Sequence, residues 1–256
     1  MRIVIKVGTS TLAHPTGLLN IKRVEQMCKV ISDLKNAGHE IMLVSSGAIG
    51  MGLGKIGLTK RPDDIPTNQA AAAIGQCELM YTYDKLFSEY NHSVAQILMT
   101  GAYVAIEDYG KNLNNTLFRL LELGVIPIIN ENDTVTTDEI VIGDNDTLGA
   151  TIALRVNADL LILLSDIDGL FTGDPNKDPN VERIEVVEEI TEEIERLAGS
   201  KGSVLGTGGM VTKINAAKMV TEQGIDMVVA NGKNPEILYD IIEGNAICTR
   251  FIGKKK

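Results

Sequence analysis

Three cysteines in 256 residues, at positions 28, 77 and 248, are too few and too scattered for a disulfide frame or a metal-ligand spacing. They read as reduced thiols packed as small hydrophobes in a cytosolic protein. Basic residues are also short: 24 Lys and Arg stand against 34 Asp and Glu, a formal net charge of -10. Holding a phosphate backbone takes clustered cations, so a general nucleic-acid binder is excluded and a small partner is expected. Long apolar runs are missing as well. The N-terminal "MRIVIKVGTS" is too short for a signal peptide, and "LLILL" at 160–164 falls far below the roughly 20 residues that span a bilayer. A cytoplasmic location with no membrane contact is the expectation. There is no short-period repeat, and the only low-complexity stretch is the terminal "KKK".

What the chain does have is apolar residues, 44% of the total, enough for one sizeable α/β domain or two small ones. "RIVIKV" (2–7), "EIMLVS" (40–45), "SVAQILM" (93–99), "VIPII" (125–129), "DLLILLS" (159–165) and "DMVVA" (226–230) are short, β-branched or leucine-rich, and mostly lack polar alternation. Strands covered on both faces read this way. Between the first two runs, Val24, Met27, Cys28, Ile31 and Leu34 repeat at helical spacing, with Asn20 as N-cap and Gly38 as C-terminal stop. Further helices are predicted over 68–89, 111–123, 145–157, 210–223 and 235–243. The alternation predicts an open parallel sheet between helical layers, with ligands beyond the carboxyl ends of the strands.

The segments that follow the strands are "KVGTS" (6–10), "SSGAIGMGLG" (45–54), "NENDTVTTDEIVIGDNDT" (130–147), "SDIDGLFTGDP" (165–175) and "NGKNP" (231–235). Each alone reads as an ordinary turn; their recurrence at one sheet edge points to a site. In "VLGTGGMVTKINAAK" (204–218) the glycines let backbone N–H groups approach a ligand, the helix that follows offers its positive end, and Lys213 adds a point charge. That combination suits phosphate; the alternative is a flexible surface loop with an exposed lysine. No stretch fits the P-loop pattern G-x-x-x-x-G-K-[ST]. "GLGKIG" (52–57) fits the dinucleotide pattern G-x-G-x-x-G, but the strand before it ends near Ser45 and the pair Asp63–Asp64 comes too early, so the match is accidental.

"KVGTS", "SSGAIG", "NENDTVTTDEI", "GDNDTLGA", "SDIDGLFTGDP" and "GTGGMVTKINAAK", in this order and across nearly the whole chain, resemble the amino acid kinase family. The resemblance implies a three-layer αβα sandwich around a mainly parallel open sheet, an α/β fold. It implies one domain over 1–256, with about 1–155 binding the amino acid and about 156–256 binding ATP. "NENDTV" with "GDND" and "GTGGM-x-TK" points to the branch that phosphorylates the side-chain carboxylate of L-glutamate, the first step of proline synthesis. ATP is then the phosphoryl donor, Mg²⁺ arrives on the nucleotide, proline is a candidate feedback inhibitor, and the chain is expected to form a homo-oligomer. Many family members continue into a C-terminal domain of a type found in RNA-modifying proteins. A chain ending in "FIGKKK" is expected to be a short form without it.

The resemblance also assigns roles. Lys6 and Lys213 match the family's catalytic lysines, Asp146 the carboxylate that orients them, and Gly8 the point of close backbone approach. Bringing two anions together for phosphoryl transfer demands such cations, and a lysine inside "IVIKVG" is costly unless paired. Asp133 and Asn145 match the substrate residues, and Ser46 can add a hydroxyl. Alone, Asp133 reads equally as a turn or capping aspartate. Ser165, Asp166 and the run Thr207, Gly208, Gly209, Met210, Val211, Thr212 and Lys213 would hold ATP together with Lys6, and Asp174–Pro175 would shape the loop beside the base. Ser165 stands where relatives commonly carry threonine, an exchange that keeps the hydroxyl. Asp144, Asp146 and Asp174 could be taken for a metal cluster, yet Mg²⁺ prefers phosphates and water to a protein cage, so no protein metal ligand is assigned. His14, His39 and His92 lie outside these segments, and direct transfer is simpler than covalent catalysis. A non-catalytic amino acid or nucleotide sensor on the same fold, or a kinase for another small acid, is the alternative.

Overall fold

Successive side chains on a strand point to opposite faces of its sheet, and β1 (Arg2–Val7) shows the layering that results. Ile3, Ile5 and Val7 enter one buried cluster and Val4 the other, so the sheet carries a core on each side. The same period of two puts Lys6 on the Val4 face. The computed structural model describes residues 1–14, 16–58, 60–100, 107–135, 145–175, 178, 180–198 and 209–255.

Along the chain the strands are β1, β2 (Glu40–Ser45), β3 (Val94–Met99), β4 (Ile126–Glu131), β5 (Leu160–Ser165), β6 (Leu170–Phe171), β7 (Arg183–Ile184), β8 (Val186–Val187), β9 (Asp226–Asn231) and β10 (Cys248–Phe251). The helices are α1 (Thr9–Leu12), α2 (Ile21–Asn36), α3 (Ala48–Lys55), α4 (Ile65–Ser88), α5 (Glu107–Glu122), α6 (Asn145–Arg155), α7 (Glu192–Ala198), α8 (Met210–Thr221) and α9 (Ile237–Glu243). The main sheet runs β3-β4-β2-β1-β5-β9-β10-β8. It is parallel from β3 to β9, and β10 lies antiparallel to β9. Helices α2 and α4 cover the Ile3 face with Val24, Met27, Ile31, Leu79, Tyr83 and Phe87, while α6 and α8 cover the Val4 face with Leu148, Ile152, Ile214 and Ala217. The three-layer αβα sandwich read from the sequence is the observed fold. Among the described residues, no helix is long and apolar enough to cross a membrane.

All six apolar runs are strands, and α2 is capped as its sequence predicts: Asn20 accepts from the Arg23 N–H, and Gly38 ends the turn at φ +94. Three details differ. β3 is an edge strand with half-open side chains rather than one covered on both faces. Cys77 is exposed, whereas Cys28 is buried as a small hydrophobe should be. And "AIGMGLGK", read as part of a loop, is helix α3.

Three glycines give α3 poor intrinsic propensity, so packing must hold it. A Cβ on Gly52 would lie 1.8 Å from the Ala71 carbonyl oxygen, and one on Gly75 would lie 1.7 Å from that of Ala48. The backbones of α3 and α4 touch, which no side chain would permit. Gly75→Ala should therefore force the two helices apart and lower stability by about 1–3 kcal/mol or more. Gly50→Ala, whose Cβ would meet Thr9 Cγ2 at an ordinary 3.9 Å, should be tolerated. Thermal melts of the two variants check this; equal melting temperatures would contradict the contact.

Candidate active site

The strand order reverses at β1: β2 and β4 lie to one side, β5 and β9 to the other. In open α/β sheets the crevice beyond the carboxyl ends at such a reversal is where ligands bind. Lys6 and Gly8 occupy it. The Gly8 N–H donates to the Leu164 carbonyl at 3.3 Å, and a Cβ on Gly8 would sit 3.7 Å from Lys6 Nζ. The bare backbone thus leaves the lysine head open on that side.

Two lysines and one aspartate meet on the Val4 face. Lys6 Nζ lies 2.7 Å from Asp146 Oδ1, and Lys213 Nζ lies 3.0 Å from Asp146 Oδ2. Each element contributes by its period: Lys6 from β1, Asp146 from the first turn of α6, and Lys213 from the first turn of α8. One turn beyond Asp146, a Cβ on Gly149 would stand 3.5 Å from Lys6 Cβ, so α6 lies close enough for its aspartate to reach the strand lysine. Asp146 is 0% exposed, Lys213 4% and Lys6 9%. Burial alone would raise the Asp146 carboxyl; the two adjacent ammonium groups outweigh it and hold the carboxyl below the usual carboxylate range. Thr212 Oγ1 adds a contact 3.0 Å from Asp146 Oδ2 and also lies 2.7 Å from the Gly209 carbonyl, between which its single proton must choose. The result is a buried carboxylate with an ammonium group at each oxygen.

A second, uncharged cluster lies beside it. Asn145 Nδ2 lies 2.7 Å from Ser46 Oγ, 3.1 Å from Asn130 Oδ1 and 3.2 Å from the Ser45 carbonyl, three acceptors that share its two protons. The Ser46 N–H is already spent on the Val7 carbonyl at 3.1 Å, so the hydroxyl is what this residue offers. Beneath it, Ser45 Oγ is 2.8 Å from the hydroxyl of Tyr83, buried on α4. Asp133 lies in the turn after β4, where burial raises its carboxyl and the charge of Arg61 partly opposes the rise.

On the β5–β9 side, Ser165 Oγ donates to Asp166 Oδ1 at 3.1 Å. Asn231, paired with Ser165 across the strands, donates to Asp168 Oδ1 at 2.8 Å. α8 begins at Met210 with Gly209 as N-cap and no side-chain cap, and the Thr212 N–H donates to the Gly209 carbonyl at 3.2 Å. Thr207, Gly208 and Asp144 lie outside the described residues. Among the described residues, no three His, Cys, Asp or Glu side chains gather to hold a metal. Both Asp146 oxygens face ammonium groups, at 2.7 and 3.0 Å.

A family model described as the amino acid kinase family matches residues 1–231. The chain belongs to the amino acid kinase family. It is 53% identical over 258 residues to a glutamate 5-kinase of Clostridium perfringens, covering 99% of this chain and 96% of that protein. The glutamate 5-kinase of Listeria monocytogenes is 49% identical, with 100% and 94% covered. That of Carboxydothermus hydrogenoformans is 49% identical, with 100% of this chain and 68% of that protein covered. A carbamate kinase from Giardia lamblia bound to AMP-PNP superposes with a TM-score of 0.71 at 18% identity, over 99% of this chain and 98% of that one. At that identity the likeness speaks for the fold alone.

The motif positions of this amino acid kinase come together as the sequence suggests: Lys6, Asp146 and Lys213 in one contact group, Ser46 and Asn145 in a second. Sequence reasoning missed Asn130, Gln76 and Asn231. Asn130 opens the quoted "NEND" and Asn231 opens "NGKNP", so both stood at strand ends where a site was expected. Gln76 gave only a weak signal, a lone amide in the alanine-rich "AAAAIGQCELM".

Proposed function

We propose that this chain transfers the γ-phosphoryl group of ATP to the side-chain carboxylate of L-glutamate, giving γ-glutamyl phosphate and ADP, the first step of proline biosynthesis. The observation that carries the chemistry is the pair of ammonium groups 2.7 and 3.0 Å from the two oxygens of buried Asp146. The choice of substrate rests on the glutamate 5-kinases that are 49–53% identical over essentially the whole chain. A carboxylate nucleophile is already an anion and needs no base. What it needs is screening from the phosphate it attacks and in-line placement. Lys6 and Lys213 supply the screening, stabilising the equatorial oxygens as the bond to ADP breaks and the acyl–phosphate bond forms. Asp146 keeps the two cations together, and Gly8 admits the transferring group. Asp133 faces the ammonium of glutamate, with Asn145 and Ser46 beside it. Ser165, Asp166 and the segment from Thr207 through Lys213 hold the nucleotide, with Mg²⁺ on its phosphates. In this reading residues 1–155 hold the amino acid and 156–256 the nucleotide. Proline, with the same α-carboxylate and α-nitrogen, competes with glutamate.

Trapping the acyl phosphate with hydroxylamine in the presence of ATP, Mg²⁺ and glutamate tests this. Hydroxamate formed equally well with aspartate or N-acetylglutamate would overturn the substrate assignment. The raised Asp133 carboxyl adds a pH signature. Only its ionised form pairs with an ammonium, so as pH falls glutamate binding is lost starting at a higher pH than an ordinary carboxylate would give. KM for glutamate should rise on that limb while KM for ATP does not follow. Parallel profiles for the two substrates would remove Asp133 from the amino acid site.

A further inference from the structure

Asn130 Oδ1 accepts from the Glu131 N–H at 2.9 Å and from Asn145 Nδ2 at 3.1 Å. With its oxygen committed to two donors, the Asn130 amide can be oriented only one way, and its Nδ2 faces Gln76 Oε1 at 2.9 Å. Gln76 is fixed in turn: its carbonyl points at Asn130 and its Nε2 points away. That Nε2 is buried with no hydrogen-bond partner among the described residues. Gln76 itself is 7% exposed, on a helix whose neighbouring core positions are alanine, leucine and tyrosine. A buried donor without an acceptor is destabilising, and an apolar side chain of the same length would avoid it. A glutamine kept there in spite of that cost is explained by what its carbonyl holds. Two turns along α4, Tyr83 reaches Ser45 at the end of β2 as Gln76 reaches Asn130 at the end of β4. One helix therefore braces both strand ends that carry the uncharged cluster.

We propose that Gln76 is a positioning residue for the amino acid substrate. Its carbonyl holds the Asn130 amide, Asn130 holds the Asn145 amide, and Asn145 stays within reach of Ser46 Oγ. The inference rests on the placing of glutamate at Asn145 and Ser46 given under the proposed function.

The test is Gln76→Met, which keeps the length and removes both polar atoms, measured alone and in an Asn145→Ala background. Coupling within one hydrogen-bond network is large enough to shift a binding constant roughly tenfold. Glutamate KM, and glutamate affinity by calorimetry, should weaken by about that factor in the single variant, with ATP KM and melting temperature nearly unchanged. In the Asn145→Ala background the same substitution should add little, because the group being positioned is gone. Should Gln76→Met fail to fold, Gln76→Asn replaces it: the shorter amide withdraws its acceptor from Asn130, and the same rise is expected. Unchanged glutamate affinity, a matching loss for ATP, or full additivity with Asn145→Ala overturns the inference. Wild-type protein that forms no hydroxamate with glutamate overturns the proposed function and this inference with it; active wild type with an unaffected Gln76 variant overturns this inference alone.

Discussion

Lys213→Ala should lower kcat by about 10²–10³ while raising KM for ATP far less. Only an interaction stronger in the transition state than in the ground state speeds the chemical step, and removing one preorganised electrostatic donor typically costs about 2.7–4 kcal/mol. Lys213 qualifies because it is 4% exposed and fixed 3.0 Å from Asp146, so it needs no reorganisation as charge develops. The fold should persist, since Asp146 keeps Lys6 as counter-ion at 2.7 Å. Lys213→Arg should recover only part of the rate, because a planar guanidinium cannot occupy the place of a compact ammonium. Steady-state kinetics with a thermal melt decide the matter. A folded alanine variant turning over within a few-fold of wild type would return the glycine-rich segment to an ordinary loop.

Asp146→Asn should have the largest effect on stability. The substitution keeps shape but removes the negative charge that both buried ammonium groups face, and breaking a buried pair in this way costs about 3–5 kcal/mol. For a chain of this size that corresponds to a fall in melting temperature on the order of ten degrees. ATP should raise the melting temperature of the variant more than that of wild type, because its phosphates supply the missing charge. The wild type carries a matching pH dependence. Its Asp146 carboxyl is held below the ordinary range, so the stabilisation is present above the unfolded value and is lost as pH falls through the lowered one. Differential scanning against pH, with and without ATP, measures both; a variant melting within a degree or two of wild type would mean the trio carries no such energy.

Much of this molecule was legible from periodicity. Runs such as "RIVIKV" and "DLLILLS" became the central strands β1 and β5 because a strand buried on both faces has no polar alternation to blur it. Asn20 and Gly38 bounded α2 because capping is a local matter, decided within one turn. Helix α3 was hidden for the opposite reason: its glycines disfavour a helix locally, and only the backbone contact of Gly52 and Gly75 with a helix distant in sequence holds it.

The site divides along the same line. The residue types and their order singled out Lys6, Asp146 and Lys213, since a lysine in an apolar strand demands a partner and a glycine-rich turn before a helix suits phosphate. That one carboxylate serves both lysines, one oxygen each, is set by three elements meeting on the Val4 face of the sheet, and no sequence spacing encodes it. Gln76 was barely marked in the sequence, because a glutamine in an alanine-rich helix carries only a weak local signal. Its carbonyl meets the Asn130 amide only because α4 packs across the ends of β2 and β4. Periodicity and capping, which act over a few residues, were determined by the sequence itself; which distant side chains share a proton or a charge was decided by tertiary packing, because those energies depend on separations that exist only once the layers have closed.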